Sequence, residues 1–300
     1  SLAADLICAM RDDAKLILCG DFRQIMPVGH GKPLLDMISA GFPYGELTEI
    51  HRNSGDIVRV CADINAGRKY VPSTGSNWKN GENVFHFPRN SNADQLRCLR
   101  SIYENAPEEF DRIDGIQVLV ITNESSPVSK KPVNDMLQEM LNPKGNKVGP
   151  YGLRIGDKVM CVENGEATDV HCIACGDLAE GSVVEFHGGF TCLRCGTSIR
   201  STELDTDYCA NGELGKIIES GGDGLHVRFD FPRRVLRFTG EQMKRIELAY
   251  AGSVHKFQGS QIPFAILLAD DSTGAAMVAS RQLLMTAIGR AAKLAATIGK

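Results

Sequence analysis

Two polar segments near opposite ends of the chain contain the residue types best suited to ligand chemistry. Residues 20–29 read G-D-F-R-Q-I-M-P-V-G, and residues 249–260 read A-Y-A-G-S-V-H-K-F-Q-G-S. Both follow strand-like apolar runs, at the point where open α/β sheets bind ligands. The neutral amide of Gln24 is suited to hydrogen-bonding a γ-phosphate or an attacking water. The alternative for Gln24 is an ordinary polar loop residue.

Four cysteines follow the spacing C-x2-C-x16-C-x2-C. The first pair is Cys172 and Cys175, and the second is Cys192 and Cys195. Each pair can turn tightly to present two thiolates to one ion, and two such turns complete a tetrahedron. The spacing therefore predicts a structural zinc site, with buried thiols as the alternative. The other cysteines lack partner spacing, and we expect them to lie in cores.

The composition is that of a soluble globular protein. The 300 residues are 43% hydrophobic and 23% charged, and such a length is enough for two domains with separate cores. No apolar run approaches the roughly 20 residues of a membrane span, and no secretory leader opens the sequence, so we expect a cytoplasmic protein. The net charge of −4 argues mildly against nucleic acid, but basic clusters at residues 129–131 and 231–237 leave that question open.

Apolar periodicity and turn residues predict an α/β fold with an insertion. From residue 149 onward, glycine-separated β runs indicate a small antiparallel barrel, which residues 171–200 interrupt. The α/β pattern resumes after residue 248. The predicted strands of the α/β part are 15–19, 116–122 and 263–269, its helices are 33–40, 56–66, 128–141 and 279–292, and the barrel strands are 156–162, 212–218 and 225–231.

Four segments together resemble the RecD-like branch of the superfamily 1 helicases. Residues 20–29 match the family pattern G-D-x-x-Q-L-P-P-V-G, and residues 249–261 match A-Y-A-x-T-x-H-K-x-Q-G-S-E. Residues 283–292 match L-L-Y-T-A-I-T-R-A-K, and residues 47–52 place an arginine after a Leu-Thr-x-Ile segment. The matches occur in the family's order and span nearly the whole chain outside the cysteine-rich segment.

The resemblance implies a site in which two RecA-like parallel-sheet domains enclose ATP and Mg²⁺. Gln24 would report the γ-phosphate, and Arg52 and Arg290 would be arginine fingers that stabilise charge during phosphoryl transfer. Surface charges are the alternative for both arginines. Gln261 replaces the family's usual acidic residue, which puts a contact to the nucleotide sugar in doubt. The residues expected to bind the nucleotide are Gly20, Asp21, Gln24, Gln258, Gly259 and Gln261.

The same resemblance implies single-stranded DNA, or junctions of single and double strands, as the partner. Thr122, Ser253 and His255 stand where members of the family contact the strand, and they are expected to do so here. The alternative for each is a hydroxyl or imidazole that caps local backbone. Movement from 5′ to 3′ along the strand is implied by the resemblance alone.

A phosphate-binding loop of the form G-x4-G-K-[ST] is absent from the 300 residues. Without it the phosphates have no cradle of amides and the magnesium ion has no hydroxyl ligand. We therefore expect the carboxy-terminal part of a longer helicase, unable to hydrolyse ATP alone. In this interpretation residues 1–45 complete a first RecA-like domain, and residues 46–148 with 248–300 form the second. Residues 149–247 form an inserted SH3-like barrel, with the zinc knuckle in residues 171–200.

Two rival functions remain open at this point. The first is a non-enzymatic, zinc-binding adaptor for nucleic acid or protein whose motor motifs have decayed. The second is the helicase part of a protein that also carries a relaxase or nuclease module. An upstream sequence without a phosphate-binding loop would favour the first rival, and upstream clusters of catalytic His or Tyr would favour the second.

Overall fold

The computed structural model describes residues 2–24, 31–47, 55–124, 126–170, 183–186, 189–200, 204–221, 224–270, 272, 275 and 279–299. No helix in these ranges is long and apolar enough to span a bilayer. The helices are α1 (Leu2–Ala9), α2 (Pro33–Ser39), α3 (Asp56–Asn65), α4 (Asn92–Asn105), α5 (Lys130–Leu141) and α6 (Arg281–Gly289), with 3-10 turns at Trp78–Asn80 and Gly240–Arg245. The strands are β1 (Val84–Pro88), β2 (Ile116–Val120), β3 (Lys147–Val148), β4 (Leu153–Arg154), β5 (Lys158–Cys161), β6 (Gly165–Asp169), β7 (Val183–Phe186), β8 (Gly189–Cys192), β9 (Ser198–Arg200), β10 (Thr206–Cys209), β11 (Leu214–Gly221), β12 (Gly224–Asp230), β13 (Arg233–Thr239), β14 (Ile246–Leu248), β15 (Ala251–Ser253), β16 (Ile262–Leu268) and β17 (Ala291–Gly299).

A parallel sheet of five strands, in the order β1-β17-β16-β2-β15, forms the centre of the α/β part. Its strand β2 is buried at every position, as expected for a strand that is covered on both faces. Val118 and Val120 pack with Leu137 of α5 on one face, whereas Leu119 packs with Ile57 of α3 on the other. Burying each such side chain contributes about 1.5–3 kcal/mol. The predicted α/β class with a parallel sheet is confirmed.

The five strands all run in one direction, so the sheet has two chemically different edges. We call the amino edge the side where β16 and β17 begin, at the paired residues Ile262 and Ala291. We call the carboxyl edge the side where β2, β15 and β16 end, at Val120, Ser253 and Leu268, which are in register. Loops that precede β16 and β17 therefore meet at one edge, and loops that follow β2, β15 and β16 meet at the other.

The prediction of a buried strand at residues 15–19 is wrong. This segment has no regular structure, and Leu16, Ile17 and Leu18 are 41%, 84% and 42% exposed. A strand needs hydrogen-bonded neighbours, and none of the strands that the structure describes pairs with this segment. The apolar composition of this segment was therefore not sufficient to make it a strand.

The predicted last helix, residues 279–292, is wrong in its last three residues. Helix α6 ends at Gly289 and the nine-residue strand β17 begins two residues later. Alanine favours helices, but β17 lies between β1 and β16 with Ala295 and Ala296 buried. The space between two neighbouring strands and two helical layers is filled by small side chains, and this burial outweighs the helix propensity.

The insertion between β2 and β15 is built on a second sheet with antiparallel pairing. Seven strands follow the order β10-β6-β13-β12-β11-β5-β14 around a core that includes Ile217, Val227 and Phe238. Within the described ranges no backbone pairing joins the outer strands β10 and β14, and the SH3-like barrel stays a prediction. A separate three-stranded sheet, β7-β8-β9, carries Cys192. The domain boundaries given above stay a prediction.

Candidate nucleotide-binding cleft

An open cleft of about 760 Å³ lies where the first polar segment meets the loops of the amino edge. Three parts of the chain line it: the loop after residue 19, the loops that precede β16 and β17, and the inserted sheet. The lining residues are Gly20, Asp21 and Gln24, then His255, Lys256, Gln258, Gly259 and Arg290, and finally Asn164, Asn211 and Gly212.

The predicted catalytic residues Gln24 and Arg290 are in direct contact across this cleft. Arg290 Nη2 donates to Gln24 Oε1 at 3.0 Å, although the two residues are 266 positions apart. Gln24 Nε2 in turn donates to Asp21 Oδ2 at 3.0 Å. The carboxylate therefore orients the amide so that its oxygen faces the guanidinium. The third predicted catalytic residue, Arg52, lies outside the described residues.

Arg290 is the largest fully buried side chain of the described chain, at 2% exposure. It stands between α6 and β17, where its carbonyl accepts from Ile262 N at 2.9 Å. Its Nη1 donates to Ser260 O at 3.3 Å, so the guanidinium also supports the loop that carries Gln258 and Gly259. Both of these acceptors are neutral oxygens. A buried guanidinium at the wall of a cleft is well placed to stabilise an anion.

The predicted nucleotide-binding residues are not all in the cleft. Gly20, Asp21, Gln24, Gln258 and Gly259 line it, and Gly259 adopts a φ of 92°, a conformation that favours glycine. Gln261, by contrast, is exposed and does not line the cleft.

The predicted DNA-binding residues separate into different settings. His255 lines the cleft, whereas Ser253 ends β15 at the carboxyl edge, beside a pocket of about 200 Å³ that Asn123 and Lys130 also line. Thr122 also lies at the carboxyl edge, and its Oγ1 donates to Asp270 Oδ2 at 3.2 Å. The structure brings neither Thr122 nor Ser253 into the cleft.

Asp270 is the centre of a hydrogen-bonded group at the carboxyl edge. It is 6% exposed, and its carboxylate accepts from Ser126 Oγ at 2.7 Å and from Ser272 Oγ at 3.0 Å, as well as from Thr122. Burial raises the pKa of this carboxyl, but the hydrogen bonds from Ser126, Ser272 and Thr122 together outweigh it and lower the pKa below its usual value. This edge therefore holds an ionised carboxylate that is already satisfied by its neighbours.

Four cleft residues were not predicted as site residues: Lys256 and the three contributed by the inserted sheet. Asn211 and Gly212 form an Asn-Gly pair between β10 and β11, a strong sequence signal for a turn between strands. That signal predicts the turn, but not that it lies beside Gln258 and Arg290. Lys256 lies between His255 and Gln258, two predicted site residues of the same motif, so its position in the sequence did indicate the site.

Two family models and one curated relative match the sequence of this chain. Residues 248–296 match the UvrD-like helicase C-terminal domain, and residues 1–77 match an AAA domain. The chain is 25% identical over 294 residues, 97% of its length, to the ATP-dependent RecD2 DNA helicase of Deinococcus radiodurans. The resemblance to RecD-like helicases is confirmed. The chain spans 33% of the length of that RecD2 relative.

Solved structures similar to this chain include those of Pif1 helicases. The Bacteroides Pif1 helicase in complex with ADP-AlF3 and single-stranded DNA gives a TM-score of 0.46 at 16% identity, covering 94% of this chain and 61% of that one. A structure of two coordinating Pif1 helicases at forked double-stranded DNA gives 0.44 at 15% identity, covering 92% and 59%.

Proposed function

We propose that this RecD-like chain supplies one wall of the ATP site of a DNA helicase that moves along single strands from 5′ to 3′. The contact between Gln24 Oε1 and Arg290 Nη2 carries the proposal, because it joins two distant helicase motifs at one cleft. The similarity to the RecD2 helicase over 97% of the chain supports it.

In the proposed mechanism Gln24 and Arg290 act on the terminal phosphate of ATP. The Gln24 amide, held by Asp21, orients the attacking water and exchanges its Arg290 contact for the phosphate. The Arg290 guanidinium stabilises the charge that develops on the transferred phosphoryl group, where it needs little reorganisation because burial already fixes it. Loss of the phosphate restores the Gln24–Arg290 hydrogen bond, so the pair distinguishes the two nucleotide states.

The resemblance also implies Mg²⁺, but the lining of this cleft does not fit that ion. Of the described lining residues, Asp21 alone is a carboxylate, and it already accepts from Gln24 Nε2 and from Arg23 N. Mg²⁺ prefers carboxylate and water oxygens in octahedral geometry, together with substrate phosphates. We assign no step to the metal here. Hydrolysis also requires a phosphate-binding loop, which these 300 residues lack.

Steady-state ATPase assays on the complete gene product, with and without oligo(dT), test the proposal. Gln24→Ala is expected to lower single-strand-stimulated turnover by about 100-fold. Gln282→Ala removes an exposed glutamine of α6 outside the cleft and serves as the control. Partial duplexes with either a 5′ or a 3′ tail report polarity, and only the 5′-tailed duplex is expected to unwind. No stimulated turnover in the wild type would favour the zinc-binding adaptor.

We also propose that the four cysteines bind one structural zinc ion. Gly196 N donates to Cys192 O at 2.8 Å, and Gly196 has a φ of 73°. The segment from Cys192 to Cys195 therefore forms the tight turn that a C-x2-C knuckle requires. Cys172 and Cys175 lie outside the described residues, and the described residues contain no cluster of three potential ligands.

Metal analysis of the purified chain tests the zinc site directly. We expect about one zinc ion per chain under reducing, chelator-free conditions. Cys195→Ser should lower that content, whereas Cys98→Ser, in the core of the α/β part, should not. A zinc content near zero in the wild type would contradict the proposed zinc site.

A further inference from the structure

The inserted sheet reaches the candidate cleft through Asn164 and through the turn that follows β10. Residues 210–213 connect β10 to β11, and two backbone hydrogen bonds fix them to β5: Gly212 N donates to Cys161 O at 2.7 Å, and Cys161 N donates to Glu213 O at 2.9 Å. Asn211 N also donates to Asn164 Oδ1 at 2.7 Å. This turn is therefore held by three hydrogen bonds to its own sheet, although Asn211 itself is exposed at the cleft.

Lys256 connects this turn to the loop of residues 254–261, which precedes β16. Its Nζ donates to Asn211 Oδ1, and its backbone N donates to Ser253 O at 3.0 Å. Among the residues with described positions, Lys256 forms no ion pair, and its exposed amine has the neutral amide of Asn211 as its side-chain partner. The ammonium charge is therefore directed toward the cleft but is not neutralised there.

The chemistry of this group fits a phosphate. An ammonium group and a neutral side-chain amide can share one anionic oxygen, since both donate hydrogen bonds once the amide rotates. The one carboxylate of the lining, Asp21, is already in contact with Gln24 and Arg23. Lys256 and Arg290 thus provide two cationic groups in one cleft.

We propose that Lys256 and Asn211 form a phosphate-binding point, so that the inserted sheet contacts the ligand of the motor. Asn211 is a positioning residue: it holds the Lys256 amine at the cleft in the absence of ligand. The phosphate belongs either to the nucleotide or to the backbone of a single strand. This inference rests on the proposed function for the identity of the ligand, but not for its chemistry.

Substitution of Asn211 separates ligand binding from a merely structural contact. Asn211→Asp keeps the shape and strengthens the link to Lys256, but its carboxylate repels a phosphate and competes for the amine. We expect Asn211→Ala to weaken phosphate binding about threefold and Asn211→Asp to weaken it at least tenfold. A structural hydrogen bond would give the reverse order, with Asn211→Asp close to the wild type. Asn90→Ala, at an exposed asparagine outside the cleft, is the matched control.

Lys256→Ala measures the charge itself. We expect it to weaken binding about tenfold, while Lys244→Ala, at an exposed lysine of the inserted sheet that pairs with Glu241, stays within twofold of the wild type. If the phosphate belongs to a single strand, the slope of log K against log salt should fall in magnitude by about 0.7, which is the value of one phosphate contact.

Three probes distinguish the sources of the phosphate: a fluorescent ATP analogue, fluorescein-labelled oligo(dT) and tripolyphosphate, each titrated into the wild type and the variants. Weakened binding of the ATP analogue alone assigns the point to the nucleotide, and weakened binding of the oligonucleotide alone assigns it to the strand. If only tripolyphosphate binds, with the expected order of variants, the inference holds and the helicase proposal fails. Wild-type affinity in all Lys256 and Asn211 variants, or no binding of any probe, overturns the inference.

Discussion

The two edges of the parallel sheet differ in what they offer a ligand. At the amino edge, Arg290 and the loop before β16 face an open cleft, and Arg290 has neutral oxygens of Gln24 and Ser260 as hydrogen-bond acceptors. At the carboxyl edge, Asp270 is surrounded by hydroxyl groups that satisfy it. Open α/β sheets usually bind ligands at the carboxyl edge. Here the cleft instead lies where residues 20–24 meet the loops that precede β16 and β17.

The difference assigns separate roles to the two edges. A cationic group beside a cleft is available to a substrate, so its removal should change turnover more than stability. A buried carboxylate that accepts several hydrogen bonds is occupied by the fold, so its removal should change stability more than turnover. Substitutions at the two edges should therefore give opposite phenotypes.

Arg290→Ala provides the largest test of this contrast. We expect ATP turnover of the complete gene product to fall about 10²- to 10³-fold, because a preorganised cation at the developing charge is lost. Affinity for oligo(dT) should change less than twofold, since the Arg290 guanidinium contacts Gln24 and Ser260, whereas two of the three predicted DNA-binding residues, Thr122 and Ser253, lie at the carboxyl edge. Steady-state kinetics and fluorescence anisotropy give the two values.

A matched variant controls for loss of structure, since Arg290 is buried. Arg290→Lys keeps the charge but cannot reach Gln24 and Ser260 with two nitrogen atoms at once. It should fold like the wild type and recover part of the turnover. Unchanged turnover in Arg290→Ala would remove this residue from the mechanism, and equal losses in both variants without unfolding would show that geometry matters more than charge.

Asp270→Asn is the reciprocal test at the carboxyl edge. We expect the free energy of unfolding at pH 7 to fall by about 1–3 kcal/mol, because the hydroxyl groups of Ser126, Thr122 and Ser272 lose an ionised acceptor. Turnover should change only slightly. Urea titrations followed by circular dichroism measure the loss.

The lowered pKa of Asp270 also predicts how the effect of this variant on the free energy of unfolding depends on pH. The folded pKa of Asp270 is lower than its unfolded value, which is about 3.9. The stability that ionised Asp270 contributes is therefore fully present above the unfolded pKa and is lost as the pH falls through the folded pKa. The difference between wild type and Asp270→Asn should be largest near neutrality and should shrink in acid. A difference that grows in acid would contradict the assignment.

The sequence patterns predicted site residues that lie within one linear motif. They predicted less well the site residues that approach each other only through packing. Gln24 and Arg290 each lie in a recognisable motif, and the resemblance of these ordered motifs to the helicase family predicted that the two residues serve one site. Asn211 stood in a turn whose type was readable, but its approach to Lys256 depends on how the inserted sheet docks on the α/β part. No periodicity within either segment encodes that contact.

The sequence patterns also did not predict the order of the strands in the sheet or the edge at which the cleft lies. The apolar run at residues 116–122 predicted a strand correctly, and β2 is buried at every position. The alanine-rich β17 has a helical composition, and only its place between β1 and β16 makes it a strand. The prediction for residues 15–19 failed for the opposite reason, since strand composition was present and hydrogen-bonded neighbours were not.

Ile17→Ser gives the smallest expected effect and tests that last point. Ile17 is 84% exposed, so the free energy of unfolding of this chain should change by no more than about 0.5 kcal/mol. Val118→Ser, in the buried strand β2, is the contrasting variant and should cost several-fold more, because it removes a fully buried side chain and introduces a hydroxyl. Urea denaturation of both variants gives the comparison. Similar losses in the two would mean that residues 15–19 pack against other parts of the chain in solution, as a strand of the sheet would. The polar segment that begins at Gly20 would then be anchored by a strand, and the orientation of Gln24 toward Arg290 would depend on that packing as well as on Asp21.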